Sequence, residues 1–121
     1  MTELEMKTTY AGSLPVVACV GRLVFGETCT RLEKHTKALL ESYPVIALDL
    51  RGIRALDSAG LGMLVKLLTS ARRSQGDLKL IAPSAKAREV LRLTKLESIF
   101  ESAQSAEDLL AARNRVFAAS A

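Results

Sequence analysis

Tryptophan is absent, and aromatic residues of every kind make up only 4% of the 121 residues. The core must therefore be built from Leu, Val, Ile and Ala, and there are too few rings to stack the bases of single-stranded nucleic acid. Cysteine is nearly absent as well. Cys19 and Cys29 are too few for a disulfide framework, and no CxxC or Cys/His cluster has metal-ligand spacing, so reduced thiols of a cytoplasmic protein are expected. No apolar run approaches the roughly 18 residues of a membrane span, and MTELEMKTTYAGS lacks the basic-then-apolar order of an export signal. Neither export nor membrane insertion is expected. Charge is not concentrated: the net +4 is spread along the chain with no dense basic block and no recognisable reading helix. Nucleic-acid binding is therefore not expected, and solvated helix faces account for the cations.

What is present is the balance of an ordinary globular domain, 49% hydrophobic and 25% charged. A chain of this length reads as one domain, residues 1–121, able to bury about two thirds of its unfolded surface without a metal or a disulfide. Met6 to Ala11 reads as an edge strand. Pro15 to Val20, short, Val-rich and ended by Gly21, reads as a buried one. From Glu27 to Ser42 the positions Cys29, Leu32, Thr36, Leu39 and Leu40 keep helical spacing and leave Glu33, Lys34, Lys37 and Glu41 outward, up to a stop near Pro44. Val45 to Leu50 is too apolar for a one-faced strand and belongs in the middle of a sheet.

Further on, the spacing predicts a helix over Ser58 to Arg73, with Leu61, Leu64, Val65 and Leu68 inward, and a strand over Leu78 to Ala82. A third helix opens at Pro83-Ser84, with Ala87, Val90 and Leu91 on one face, and a short strand is expected near Phe100. Ser105 caps a last helix with Asp108 three residues on and Leu109, Leu110, Val116 and Phe117 as its apolar contacts. Strands alternating with helices imply an α/β fold, a mixed and mostly parallel sheet of four to five strands packed by about four helices. Functional groups in such sheets gather at the carboxyl ends of the strands, which directs attention to Arg51 to Asp57, read as a βα loop, and to the serine that follows it.

That serine, Ser58, stands in Asp57-Ser58-Ala59-Gly60-Leu61-Gly62. As a nucleophile it would need a histidine and a nucleophile elbow, but Leu56 occupies the first glycine position of G-x-S-x-G, and the lone His35 reads as a surface residue of the first helix. As a phosphate cradle the stretch is incomplete, since G-x-x-x-x-G-K-[ST] is missing and Gly60-Leu61-Gly62 lacks the third glycine of a dinucleotide fingerprint. No cofactor is expected. Each glycine still needs a reason, at about 1 kcal/mol relative to Ala in a helix interior. Close approach, by a neighbouring element or by a second protein, is one. The plain structural role of Ser58 is an N-cap worth roughly 1 kcal/mol. An exposed capping hydroxyl is also open to a kinase, and a phosphate there would change the surface a partner meets without unfolding the helix.

The run from Val45 to Phe100, with Asp57-Ser58-Ala59-Gly60-Leu61-Gly62 followed by Leu78-Lys79-Leu80-Ile81-Ala82-Pro83-Ser84, resembles the core of a STAS domain, the module shared by sulphate transporters and anti-sigma factor antagonists. The resemblance covers about residues 16–112 and implies a regulatory binding module rather than an enzyme. In the antagonists the serine matching Ser58 is phosphorylated by an anti-sigma factor that is itself a serine kinase. The unphosphorylated antagonist captures that kinase, and a serine phosphatase resets the switch. By this resemblance Ser58 is the phosphorylation site, and the partner-binding edge comprises Asp57, Ser58, Ala59, Gly60 and Gly62, supported by Gly21, Arg22 and Val24.

The chain departs from the pattern twice. Antagonists often carry an acid in a Gly-x-Leu-Asp sequence where this chain has Gly21-Arg22-Leu23-Val24. They commonly have Gly after the threonine that ends the third helix, where Thr94-Lys95-Leu96 stands. A left-handed residue at that helix end would suit lysine less well. Two other functions remain open within the same fold: a non-switching subunit of a lipid-trafficking ABC transporter or stress-signalling scaffold, and direct nucleotide binding at the Ser58 loop.

Overall fold

In the computed structural model, which describes residues 3–112, the chain begins with two antiparallel strands, β1 (Leu4–Ala11) and β2 (Leu14–Leu23). There follow α1 (Glu27–Leu40), β3 (Val45–Leu56), α2 (Ser58–Arg73), β4 (Asp77–Ile81), α3 (Ala85–Leu93), a 3-10 turn (Glu97–Ile99) and the short β5 (Ser102–Ala103). A last helix, α4, includes residues 106–112. The expected contacts Val116 and Phe117 lie outside the described residues.

The five strands lie in the order β1-β2-β3-β4-β5. β1 is antiparallel to β2, and all the other pairs are parallel, joined through α1, α2 and α3. The order never reverses and the inward residues of the three helices share one cluster, so the helices stack on one face of the sheet, as crossovers of a single hand require. Their inward residues, Cys29 and Leu32 of α1, Leu61, Leu64, Leu67 and Leu68 of α2 and Ala87 and Leu91 of α3, form one cluster with Val17, Leu48, Leu50 and Leu80 of the strands. A smaller cluster on the opposite face joins Leu14, Val16, Ala47 and Ile81 to Leu109 of α4. An unreversed strand order has no switch-point crevice, so the sheet offers nucleotides none of the usual binding geometry.

The predicted elements recur with shifted limits. The α2 helix runs from Ser58 to Arg73, as the spacing predicts, and adds Leu67 and Ala71 to the buried set. The edge strand begins earlier, at Leu4, and the short strand near Phe100 is β5. The largest departure concerns Arg51 to Leu56, which is not a loop but the second half of β3. Only Asp57 separates that strand from α2. There Arg51 and Arg54 are exposed and Ile53 and Leu56 buried, a spacing of three rather than the two of a regular pleat, because the register against β2 shifts twice along this half of the strand, so neither a continuous apolar run nor a clean alternation marks it in the sequence. In β2, Val20 is 49% exposed although its neighbour Cys19 is buried, because α4 covers only the amino-terminal part of the second face.

Two side chains of α1 also depart from expectation. His35 is half-buried, its Nε2 2.6 Å from Thr8 Oγ1 of β1, so it ties the helix to the edge strand. Glu33 pairs with Lys66 of α2 at 2.7 Å and with Lys37 at 3.1 Å, and those two ammonium groups hold its carboxyl below the ordinary range. At the far end of α3, Lys95 has φ 60, so a lysine does stand in the left-handed position where glycine is preferred.

Candidate functional site

The amino-terminal end of α2 is built by Asp57, not by Ser58. Asp57 is extended (φ −103, ψ −176) and its Oδ1 accepts from the Gly60 amide at 2.8 Å, so it is the N-cap. Its other oxygen, Oδ2, accepts from the Phe25 amide at 2.9 Å, across from the β2–α1 loop. One carboxylate therefore joins two segments that meet at the carboxyl edge of the sheet. Partial burial works to raise the Asp57 pKa, but the amide bonds from Gly60, Phe25 and Ala59 outweigh it and hold the group below the usual aspartate value.

The N-cap role expected of Ser58 is thus corrected. Asp and Ser rank together as caps, so a sequence that offers both in succession does not say which will be used. With Asp57 capping, Ser58 becomes the first helical residue and is exposed. The amide that a phosphate cradle would want from Gly60 is already bonded to Asp57.

The two glycines separate cleanly. Gly60 is buried, and a methyl group there would lie 2.2 Å from the Leu23 carbonyl oxygen and 2.8 Å from Leu56 Cδ1. Close approach at Gly60 is made by β2. Gly62 is exposed, and a methyl group there would meet nothing within 4 Å. Ala59 is half-buried against the core between them.

Across the edge, Gly21 is buried with φ 128, and a side chain would run into the Glu3 carbonyl at 2.0 Å. The exposed Arg22 points along the edge to Glu3, with Nη1 and Oε1 3.3 Å apart. Val24 is half-buried, and its amide and carbonyl both bond Thr28 Oγ1, at 3.2 and 2.7 Å. Asp57, Ser58, Gly62, Arg22 and Val24 therefore lie at least partly at the surface of this edge, while Gly21 and Gly60 lie beneath it. Next to Val24 is a residue that reading the sequence passes over: Phe25, 84% exposed. A single phenylalanine in a loop carries no periodicity to single it out.

Among the described residues there is little chemistry outside this edge. The Cys19 thiol is pushed up to about 12 by burial and by the nearby Asp49 charge, and the Cys29 thiol is raised by burial and by the Asp57 and Glu33 charges, so both are unreactive. Among the described residues no group of three His, Cys, Asp or Glu side chains could hold a metal ion, and no helix is long and apolar enough to cross a membrane.

The geometry has close parallels among known proteins. A Thermotoga maritima protein, named as a candidate anti-sigma factor antagonist, is 38% identical over 61 residues, which is 50% of this chain and 54% of that relative. The match thus spans about half the length of the curated relative. The anti-sigma factor antagonist SpoIIAA in its unphosphorylated form superposes with a TM-score of 0.74 over 91% of this chain and 97% of its own, at 18% identity. The Bacillus cell fate determinant SpoIIAA in its phosphorylated form gives 0.67 over 93% and 99%, at 17% identity. At such identities these two structures speak for the fold. The STAS domain family model matches residues 5–109, from β1 into α4. The chain belongs to the STAS domain family.

Proposed function

We propose that this chain is an anti-sigma factor antagonist: a cytoplasmic, non-enzymatic binding module, a single domain over residues 1–121, that captures an anti-sigma factor serine kinase while Ser58 is unphosphorylated. A serine phosphatase restores the binding form. The observation that carries this reading is the division of labour at the start of α2. Because Asp57 takes the cap, the Ser58 hydroxyl stands exposed on the first turn of a rigid helix, where a kinase can reach it without undoing the helix. The 38% identical relative, itself named as a candidate anti-sigma factor antagonist, supports the same reading.

The contact surface consists of Asp57, Ser58, Ala59 and Gly62 with Arg22 and Val24, and Gly21 and Gly60 shape the backbone beneath it. Phosphate on Ser58 adds about −1.5 to −2 charges beside the Asp57 carboxylate. In a covering interface that charge is desolvated without a partner, a penalty on the order of 3 kcal/mol, or a hundredfold or more in affinity. The test is affinity capture of the kinase from the native cell, followed by incubation with it and ATP and mapping of the phosphate by mass spectrometry. Phosphate on Ser58 with at least a hundredfold weaker capture is expected. Phosphate confined to another residue, or undiminished capture by the Ser58 phosphoprotein, overturns the switch.

A further inference from the structure

We infer that Phe25 is the apolar anchor by which this edge grips its partner, and that Asp57 is the positioning residue that holds Phe25 in register with Ser58. The inference rests on the reading of the Ser58 edge as a kinase-binding surface and adds to it the residue that supplies most of the grip.

Single exposed hydrophobic side chains are common and by themselves mean little. Phe25 differs from the others in where and how it is held. Tyr10, 54% exposed, stacks on Tyr43 with ring centroids 5.7 Å apart, and Val20 belongs to the opposite face of the sheet. Leu93, 72% exposed, lies at the carboxyl end of α3, at the edge of the sheet opposite to the start of α2. Among these residues Phe25 alone sits beside the first turn of α2, and the residue is 84% exposed although its backbone is tied down. Its amide is bonded to Asp57, the preceding Val24 is bonded through both backbone groups to Thr28, and the next residue, Gly26, opens α1. A ring with two torsions on a fixed backbone loses little entropy on binding, which is the property of an aromatic anchor.

The Asp57 carboxylate bonds Phe25 with one oxygen and Gly60 with the other, so the position of the ring and the start of the helix bearing Ser58 are set by the same group. The partner chemistry this arrangement fits is an apolar pocket on the anti-sigma factor, with a rim that meets an uncharged serine. A phosphate on Ser58 repels the Asp57 carboxylate and competes with it for the amides of the first turn of α2, which loosens the tether to Phe25 as well as charging the surface.

Two measurements decide this. The first is binding of the captured kinase to Phe25→Ala, Phe25→Leu, Gly62→Arg and Ser58-phosphorylated protein, with melting temperatures alongside. Phe25→Ala is expected to bind at least tenfold more weakly at an unchanged melting temperature, with part of the loss recovered in Phe25→Leu. Binding of Phe25→Ala within twofold of the wild type, while Gly62→Arg or the phosphate blocks it, overturns the anchor and leaves the edge standing. Undiminished binding by all of them, or capture of no kinase at all, overturns the edge and the anchor with it. The second measurement is amide hydrogen exchange by NMR, which needs no partner. The Phe25 amide is expected to lose protection in Asp57→Ala and in protein carrying phosphoserine at position 58, and to recover part of it in Asp57→Asn, which keeps one acceptor. A Phe25 amide equally protected in all of them overturns the role given to Asp57.

Discussion

Three helices of this protein start beside a serine, and two of them use it differently from the third. At α3 the Ser84 hydroxyl accepts from the Ala87 amide at 3.1 Å, and at α4 the Ser105 hydroxyl accepts from the Asp108 amide at 3.1 Å. At α2 the same task falls to Asp57, one residue earlier, and Ser58 is left exposed inside the helix. A serine alone before a helix is consumed as a cap. A serine behind an aspartate is released from that task, and the aspartate reaches a second donor on another element, which a short hydroxyl does not.

The sharpest way to break this comparison is at Gly60, where α2 meets β2. Gly60→Val drives a side chain against the Leu23 carbonyl and should cost about 3 kcal/mol in a urea titration. A loss below about 1 kcal/mol would mean that the start of α2 is free to move away from β2. Gly62, one turn-face away, is the control: Gly62→Ala has open space and should stabilise by about 0.5 to 1 kcal/mol.

Next in size is Asp57→Ala, which removes a cap worth about 1 kcal/mol and, with it, the bond to Phe25. Its signature is in the pH dependence. A carboxyl whose folded pKa lies below its unfolded value contributes stability that is present above the unfolded value, 3.8, and is lost as pH falls through the folded one. Wild type should therefore lose stability towards acid more steeply than Asp57→Ala, and parallel curves below pH 4 would remove Asp57 from the account. The finest comparison is between the two serines. Ser84→Ala should cost about 1 kcal/mol and Ser58→Ala less than about 0.5, because only the first is a cap. Equal losses would return the cap to Ser58.

Much of the framework follows from local pattern. A valine-rich run makes β2, the apolar run Val45 to Leu50 makes the first half of β3, and the spacing of Leu61, Leu64 and Leu68 makes α2, because strand and helix periodicities are properties of neighbouring residues. The family likeness was legible for the same reason, since it resides in one contiguous stretch around Ser58. Tertiary structure decided what depends on distant segments meeting. Arg51 to Leu56 is strand because β2 lies alongside it, Gly60 is glycine because the Leu23 carbonyl fills the space a side chain would need, and His35 is held because Thr8 faces it. Between Asp57 and Ser58, two residues of equal capping preference, the choice went to the one whose second oxygen could also take the Phe25 amide, a donor brought there from 32 residues away only by folding.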